Sequence, residues 1–301
     1  MKSPIYFLHL TLAISSLGYL LLTPSTALAM PATQIAISKP ALPDPDRLLA
    51  QLYAADPPPR SSGGGTTYEK PPSRLGGGSR FVPTLQQGTE APGRIRGGAS
   101  RSTCPAVTTE LTALVPTAEV VTQRPNGRPR KTTNVIGQTT LDHPTFWFYV
   151  PYTNQNENLT EFVLQDAKGT EIYKTTIDLS AKPGIVAVRL PQSAPKLESG
   201  KQYQWFFQYY CAREKTTRPI FVNGWIQRLD RSPDLQKQIT AATTPRDVAQ
   251  VYNQNNIWFD ALTTLAEARR AKPTDEALLA DWKQLLEEVD LANLATEPFA
   301  N

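Results

Sequence analysis

The amino-acid sequence predicts an α+β protein, an antiparallel β-sandwich followed by helices. Three observations predict it. Between residues 104 and 230, short β-branched and aromatic runs recur between Pro and Gly breaks, with no helical period among them. In the clearest run, 201–212, Tyr203, Trp205, Phe207, Tyr209 and Cys211 fall on one face and Gln202, Gln204 and Gln208 on the other. After Arg231 the apolar period lengthens to that of a helix and helix-start signals appear.

Residues 1–29 have the layout of a secretory signal peptide. Lys2 is the basic lead, an apolar run extends from Ile5 to Leu22, and Ala27-Leu28-Ala29 supplies the small residues a signal peptidase reads. The competing reading is an uncleaved anchor. The run is short for a span and no basic cluster follows it, so the expectation is cleavage after Ala29 and residence in the periplasm or outside the cell. No later segment is apolar enough to span a bilayer, so no transmembrane segment is expected after cleavage.

Residues 30–103 read as a disordered Pro/Gly-rich linker. Pro57-Pro58-Pro59, Gly63-Gly64-Gly65, Pro71-Pro72 and Gly76-Gly77-Gly78 leave too little apolar surface to offset the entropy of ordering. The glycine runs lack the Gly-Lys-Ser/Thr ending of a phosphate loop. The linker holds nine basic and five acidic residues, and residues 104–301 hold 21 and 22. The basic balance therefore lies in the linker, and the rest of the chain offers nucleic acid no electrostatic footprint.

The β-sandwich domain is placed at 104–231 and is expected to be immunoglobulin-like. Strands are expected at 109–115, 118–122, 145–150, 159–166, 170–179, 184–190, 201–212 and 220–229. Asp166-Ala167-Lys168-Gly169 marks a hairpin turn. Residues 123–140 are polar and read as an extended loop. Its Arg124, Arg128, Arg130 and Lys131 are an anion candidate set against the plainer reading of solvated charge. Cys104 and Cys211 are an even pair in an exported chain. Cys211 faces the core by the strand alternation, which favours a structural disulfide over two buried thiols.

Residues 232–292 form the helical region, followed by a tail at 293–301. Helices are expected at 232–240, from Thr244 to about 254, at 257–271, and at 275–289 with Thr274 as cap. Thr244-Pro245-Arg246-Asp247 carries an N-cap, a first-turn proline and an acid three residues on. Ala249, Tyr252, Ala261, Leu265, Ala268 and Pro273 resemble one tetratricopeptide-type repeat, although an ordinary helical hairpin explains the same spacing. One such repeat builds no groove, so the hairpin is expected to rest on the sandwich or on a partner.

No catalytic apparatus is legible. His143 is the one histidine left after cleavage, so no histidine-rich metal site can form within the chain. Its setting, Leu141-Asp142-His143-Pro144, suits a rigid start to the next strand. A bridged Cys211 offers no thiolate. The acids fall at turns or on solvated faces, so no metal or cofactor is expected. Aromatic residues are the remaining feature with binding potential. If Phe146 and Phe148 face inward, Trp147 and Tyr149 face outward, and Phe206 and Tyr210 oppose the core face of their own strand. These four are the candidate ligand or partner face, unless the helices cover it and make it a second core.

A family resemblance closes the reading. Cys104-Pro105, then His143-Pro144-Thr145-Phe146-Trp147-Phe148-Tyr149-Val150-Pro151-Tyr152, then Gly224-Trp225-Ile226, then Ile257-Trp258-Phe259-Asp260-Ala261-Leu262, and finally Asp281-Trp282 with Leu285-Leu286 occur in that order. The pattern resembles the cyanobacterial family called domain of unknown function 928, over residues 104–290. The resemblance implies an exported protein and no activity. The expectation is a non-enzymatic interaction or scaffold module of the cell envelope with a protein partner. The alternatives are a carbohydrate-binding module using exposed rings on a polysaccharide, and an exported carboxylate-dependent hydrolase.

Overall fold

The computed structural model describes residues 91–97, 104–123, 126, 128–154, 158–212, 214–215 and 218–301. The expected signal peptide, most of the linker and Arg124 lie outside them. Among the described residues ten strands come in chain order: β1 (Arg96–Gly97), β2 (Leu111–Ala113), β3 (Thr117–Gln123), β4 (Pro129–Thr139), β5 (Thr145–Val150), β6 (Leu159–Asp166), β7 (Glu171–Thr176), β8 (Gly184–Arg189), β9 (Gln202–Tyr210) and β10 (Ile220–Arg228). Four helices follow: α1 (Pro233–Ala241), α2 (Pro245–Gln254), α3 (Trp258–Ala271) and α4 (Glu276–Glu287), then a short 3-10 turn at Ala292–Leu294.

The strands form two sheets, ordered β1-β2-β5-β8 and β3-β4-β10-β9-β6-β7. The ladder between β4 and β10 is parallel, and every other ladder joining two of these strands is antiparallel. The sheets meet through aromatic side chains. Phe148 of β5 lies 4.4 Å from Phe207 and 5.6 Å, edge-on, from Trp205, both on β9. Phe146 lies 4.8 Å from Phe162 of β6. Each such ring is essentially solvent-free, and burial at this level stabilises by about 1.5–3 kcal/mol per large side chain. The period-two alternation of β9 is therefore what sets the inter-sheet core. The described residues are α+β, with two packed sheets and four helices.

Two regions depart from the sequence expectation. Residues 91–97, assigned to the linker, are part of the sheet system. Arg94 N–H donates to Asn223 O at 2.8 Å and Asn223 N–H donates back to Arg94 O at 2.9 Å. Two residues on, β1 pairs with β2. The segment thus crosses from one sheet to the other. Proline and glycine misled the reading, since Pro92 and Arg94 form isolated bridges to Asn134 and Asn223, partners far along the chain. Residues 129–139, assigned to a loop, are β4, the longest strand. Thr, Lys and Arg there suit the solvated half of a ladder with β3, and Val135 and Ile136 begin the buried half.

The helices end as their sequences dictate. Ser232 caps α1 by accepting from Leu235 N–H at 3.1 Å. Thr244 and Asp247 form a reciprocal capping box on α2. The α4 cap is Asp275, which accepts from Ala277 and Leu278 N–H. The expected cap, Thr274, is one position early. Leu235, Ile239, Val248, Tyr252, Ile257 and Ala261 make a small core among α1, α2 and α3. The helical region shares the main core with the strands. Phe259 meets Phe146 edge-on at 5.4 Å, and Trp258 Nε1 donates to Leu114 O at 2.8 Å.

Candidate interaction face

Each sheet has an outer side, and the two differ in what covers them. On β5, Trp147 is 1% exposed and Tyr149 6%. Trp147 Nε1 donates to Thr263 Oγ1 of α3 at 3.0 Å, and its ring meets Phe299 edge-on at 5.8 Å. Burial, with Glu297 nearby, raises the Tyr149 hydroxyl above its usual range. These two residues therefore do not belong to an open face, because the helices and the last residues of the chain lie over them. Strand alternation gives the direction of a side chain but not what lies beyond it.

Phe206 and Tyr210 of β9 are on the outer side of the six-stranded sheet and remain half-exposed. The register brings neighbours beside them. Phe206 is paired with Asn223 of β10 and Val163 of β6; Gln208 is paired with Phe221 and Glu161; Gln204 is paired with Trp225 and Gln165. Phe206, Tyr210, Phe221 and Trp225 thus share one surface, interleaved with the amides of Gln204, Gln208 and Asn223. Phe221 was not singled out from sequence, although its alternation with Ile220, Val222 and Ile226 carries the same signal.

Polar groups fix this surface. Trp225 Nε1 donates to Pro92 O at 3.2 Å, and the Arg94 guanidinium lies 4.9 Å from the Phe221 centroid. Tyr210 Oη donates to Gln208 Oε1 at 3.0 Å, and Lys215 Nζ lies 5.1 Å from the Tyr210 centroid. Glu161 joins Lys215 at 2.7 Å and Lys174 at 3.1 Å. Burial opposes its ionisation, but the two lysines together hold its carboxyl below the usual range. Arg94, Lys174 and Lys215 thus stand beside the rings, the two lysines paired with Glu161.

His143 is buried at the start of β5. Nδ1 lies 3.1 Å from Asp142 Oδ1, and Nε2 lies 3.1 Å from Ala194 O. Lys196 holds the other Asp142 oxygen at 3.4 Å. The imidazole pins the β5 start to the segment after β8, with both ring nitrogens occupied.

The buried acids have separate partners. Asp260 of α3 accepts from the hydroxyls of Thr139 and Thr140 and from Thr140 N–H. Burial raises its pKa despite these bonds and nearby Arg231. Asp281 of α4 is paired with Arg246 of α2. Sequence reading missed Asp260, since an acid inside an aromatic helix start gives no signal of its buried partners. Among the described residues, no group of three or more His, Cys, Asp or Glu is arranged to hold a metal ion.

Cys104 and Cys211 are disulfide-bonded, with Cα atoms 5.4 Å apart across 107 positions. Such a bridge fits an oxidising compartment. Among the described residues no helix is long and apolar enough to cross a membrane.

No match was found among curated proteins. A sequence model of the family Domain of Unknown Function (DUF928) matches residues 96–299, from β1 to the segment beyond the 3-10 turn. The match spans both sheets and all four helices, and the chain belongs to that family.

Proposed function

We propose that this protein works by binding rather than by catalysis, as an exported scaffold of the cell envelope whose docking face is the outer side of β9 and β10. One observation carries the reading. Phe206, Tyr210, Phe221 and Trp225 stay half-exposed on one sheet face, whereas the inward rings of the same strands are buried. A cluster of rings with amides between them supplies apolar contact area and hydrogen bonds at low entropic cost. The basic side chains of Arg94, Lys174 and Lys215 beside the rings suit a protein surface with an apolar centre and acceptor groups at its rim.

The export part of the proposal rests on the signal-peptide layout of residues 1–29, with cleavage after Ala29, and on the disulfide. The periplasm or the extracellular space follows, in a cyanobacterium by the motif resemblance. The buried acids argue against the hydrolase alternative. Glu161, Asp260 and Asp281 are each held by their own basic or hydroxyl partners, and general acid–base work on a glycoside needs two carboxylates facing one bond.

Carbohydrate binding is the second reading, favoured by the Gln204, Gln208 and Asn223 amides beside the rings, which suit sugar hydroxyls. To separate the two, immobilise the mature chain and a Phe206→Ala/Phe221→Ala variant. Present each to envelope extract and to a polysaccharide array. The proposal expects a defined protein retained by the wild type and lost from the variant, with no glycan retained. Glycan retention that the variant loses would replace it with the carbohydrate reading.

A further inference from the structure

Strand β8 is the edge of the four-stranded sheet, and residues Pro298 to Asn301 lie along it, joined through one parallel bridge at Phe299. Ile185 N–H donates to Pro298 O at 2.7 Å, and Ala300 N–H donates to Ile185 O at 2.8 Å. Ala187 N–H donates to Asn301 Oδ1 at 2.8 Å, and Asn301 Nδ2 donates to Ala187 O at 3.0 Å. The Asn301 side chain therefore imitates one further strand residue. The pairing is parallel, with Phe299 opposite Ile185.

Phe299 is the side-chain anchor. Its ring lies 5.8 Å from Trp147 and 5.6 Å from Trp282, with the Arg269 guanidinium 5.3 Å from its centroid. Backbone pairing plus one anchored ring is how an extended peptide adds to a sheet edge. Phe299 and Ala300 pack against the main core from its outer side. Pro298 and Asn301 are exposed and Phe299 and Ala300 half-buried, while the inter-sheet core of Phe148, Trp205 and Phe207 lies on the other side of β5.

Gly184 shapes the groove. A Cβ there would lie 2.5 Å from Pro298 O, 3.0 Å from Ala300 Cβ and 3.4 Å from Pro298 C. All three nearest atoms belong to the added segment, so the missing side chain makes room for that segment. An unpaired β8 edge would present the Ile185 and Ala187 backbone groups to any extended chain.

We propose that the β8 edge, with Trp147, Trp282 and Arg269, is a peptide-binding groove for an extended segment of the pattern Pro-Phe-Ala-Asn on another chain. In this molecule the groove is filled in cis by residues 298–301. Occupation in trans displaces that segment and uses the same four main-chain and amide bonds. The occupant is a peptide with one aromatic anchor between small or rigid neighbours and an amide two positions beyond it.

The test uses a fluorescein-labelled peptide of residues 296–301 and the chain shortened to end at Glu297. The shortened chain binds the peptide. A peptide carrying Phe299→Ala binds about 30-fold more weakly or worse, and Gly184→Ala in the shortened chain abolishes binding. The full chain binds at least about tenfold more weakly, because its own segment competes at high effective concentration. A folded shortened chain that ignores the peptide, or that binds the Phe299→Ala peptide equally well, overturns the proposal. Should the shortened chain not fold, a protease site replacing residues 295–297 of the full chain is cut after folding. Retention of the cut segment, and its exchange for labelled peptide, then supports the groove. Loss of the segment without rebinding contradicts it.

Discussion

Asp260 and Thr140 are 120 positions apart in the chain, yet one carboxylate oxygen of Asp260 accepts both the Thr140 hydroxyl, at 2.6 Å, and its main-chain N–H, at 2.9 Å. The other oxygen accepts from Thr139. Arg231 donates to the Thr140 hydroxyl at 3.0 Å and to Tyr252 Oη at 3.3 Å. These bonds fasten α3 and α2 to the end of β4, where the sheet hands over to the helices.

Loss of that carboxylate should be costly. Asp260→Leu leaves two hydroxyls and a main-chain N–H without their buried acceptor, and about 2–4 kcal/mol of stability should go. The pH dependence has a definite sign. Burial raises the folded-state pKa of Asp260 above its unfolded value, so the folded state holds the proton more tightly. The Asp260 contribution is therefore fully present below the ordinary aspartate range and is lost as pH rises through the folded pKa. Asp260→Asn should remove that slope, which urea unfolding of both proteins across pH 3 to 8 would reveal. Parallel wild-type and Asn curves would contradict the assignment.

The disulfide predicts a large effect from a small change. Cys104 and Cys211 close a span of 107 positions, worth roughly 4–5 kcal/mol in the chain-entropy picture. Cys104→Ser/Cys211→Ser should lower Tm by many degrees while leaving the circular dichroism of the folded state unchanged. Thiol titration of the purified, unreduced chain in denaturant should find no free thiol. A reactive thiol there would contradict the bridge.

Phe206 and Phe207 are sequence neighbours with opposite fates. Phe207 is solvent-free and packs on Phe148. Phe207→Ala should cost about 3–5 kcal/mol. Phe206 stands on the half-exposed outer side, and Phe206→Ala should cost about 1 kcal/mol or less while weakening partner capture. Chemical denaturation of both variants measures the contrast, and comparable destabilisation would mean that the outer side is a core.

The fold was legible where a local pattern carries its own partner. The β9 alternation, the Thr244–Asp247 capping box and the Asp166–Gly169 turn each announce an element within a few residues. Asp166 Oδ1 accepts from Lys168 and Thr170 N–H in that turn, as an Asx turn does. What stayed hidden depends on distant chain. Nothing in Ala91 to Gly97 says that β10 waits for it. Nothing in the polar run before Val135 says that β3 will pair with it. Trp147 and Tyr149 lie opposite the inter-sheet face of β5, but their cover comes from α3 and from Phe299, over 100 positions later. The outer side of β9 was half legible: Phe206 and Tyr210 stood out, and register with β10 was needed to add Phe221 to them.

The docking face proposed for β9 and β10 can be tested directly by photo-crosslinking in cells that express the chain. A benzoylphenylalanine residue is placed in turn at position 206, at position 121 on the exposed part of β3, where Val121 is 59% exposed, and at position 173 near the far sheet edge. Crosslinked products are then identified by mass spectrometry. The account predicts one recurrent protein adduct from position 206 and no such adduct from positions 121 and 173. Adducts from all three positions alike, or none from position 206, would contradict a binding face on β9 and β10.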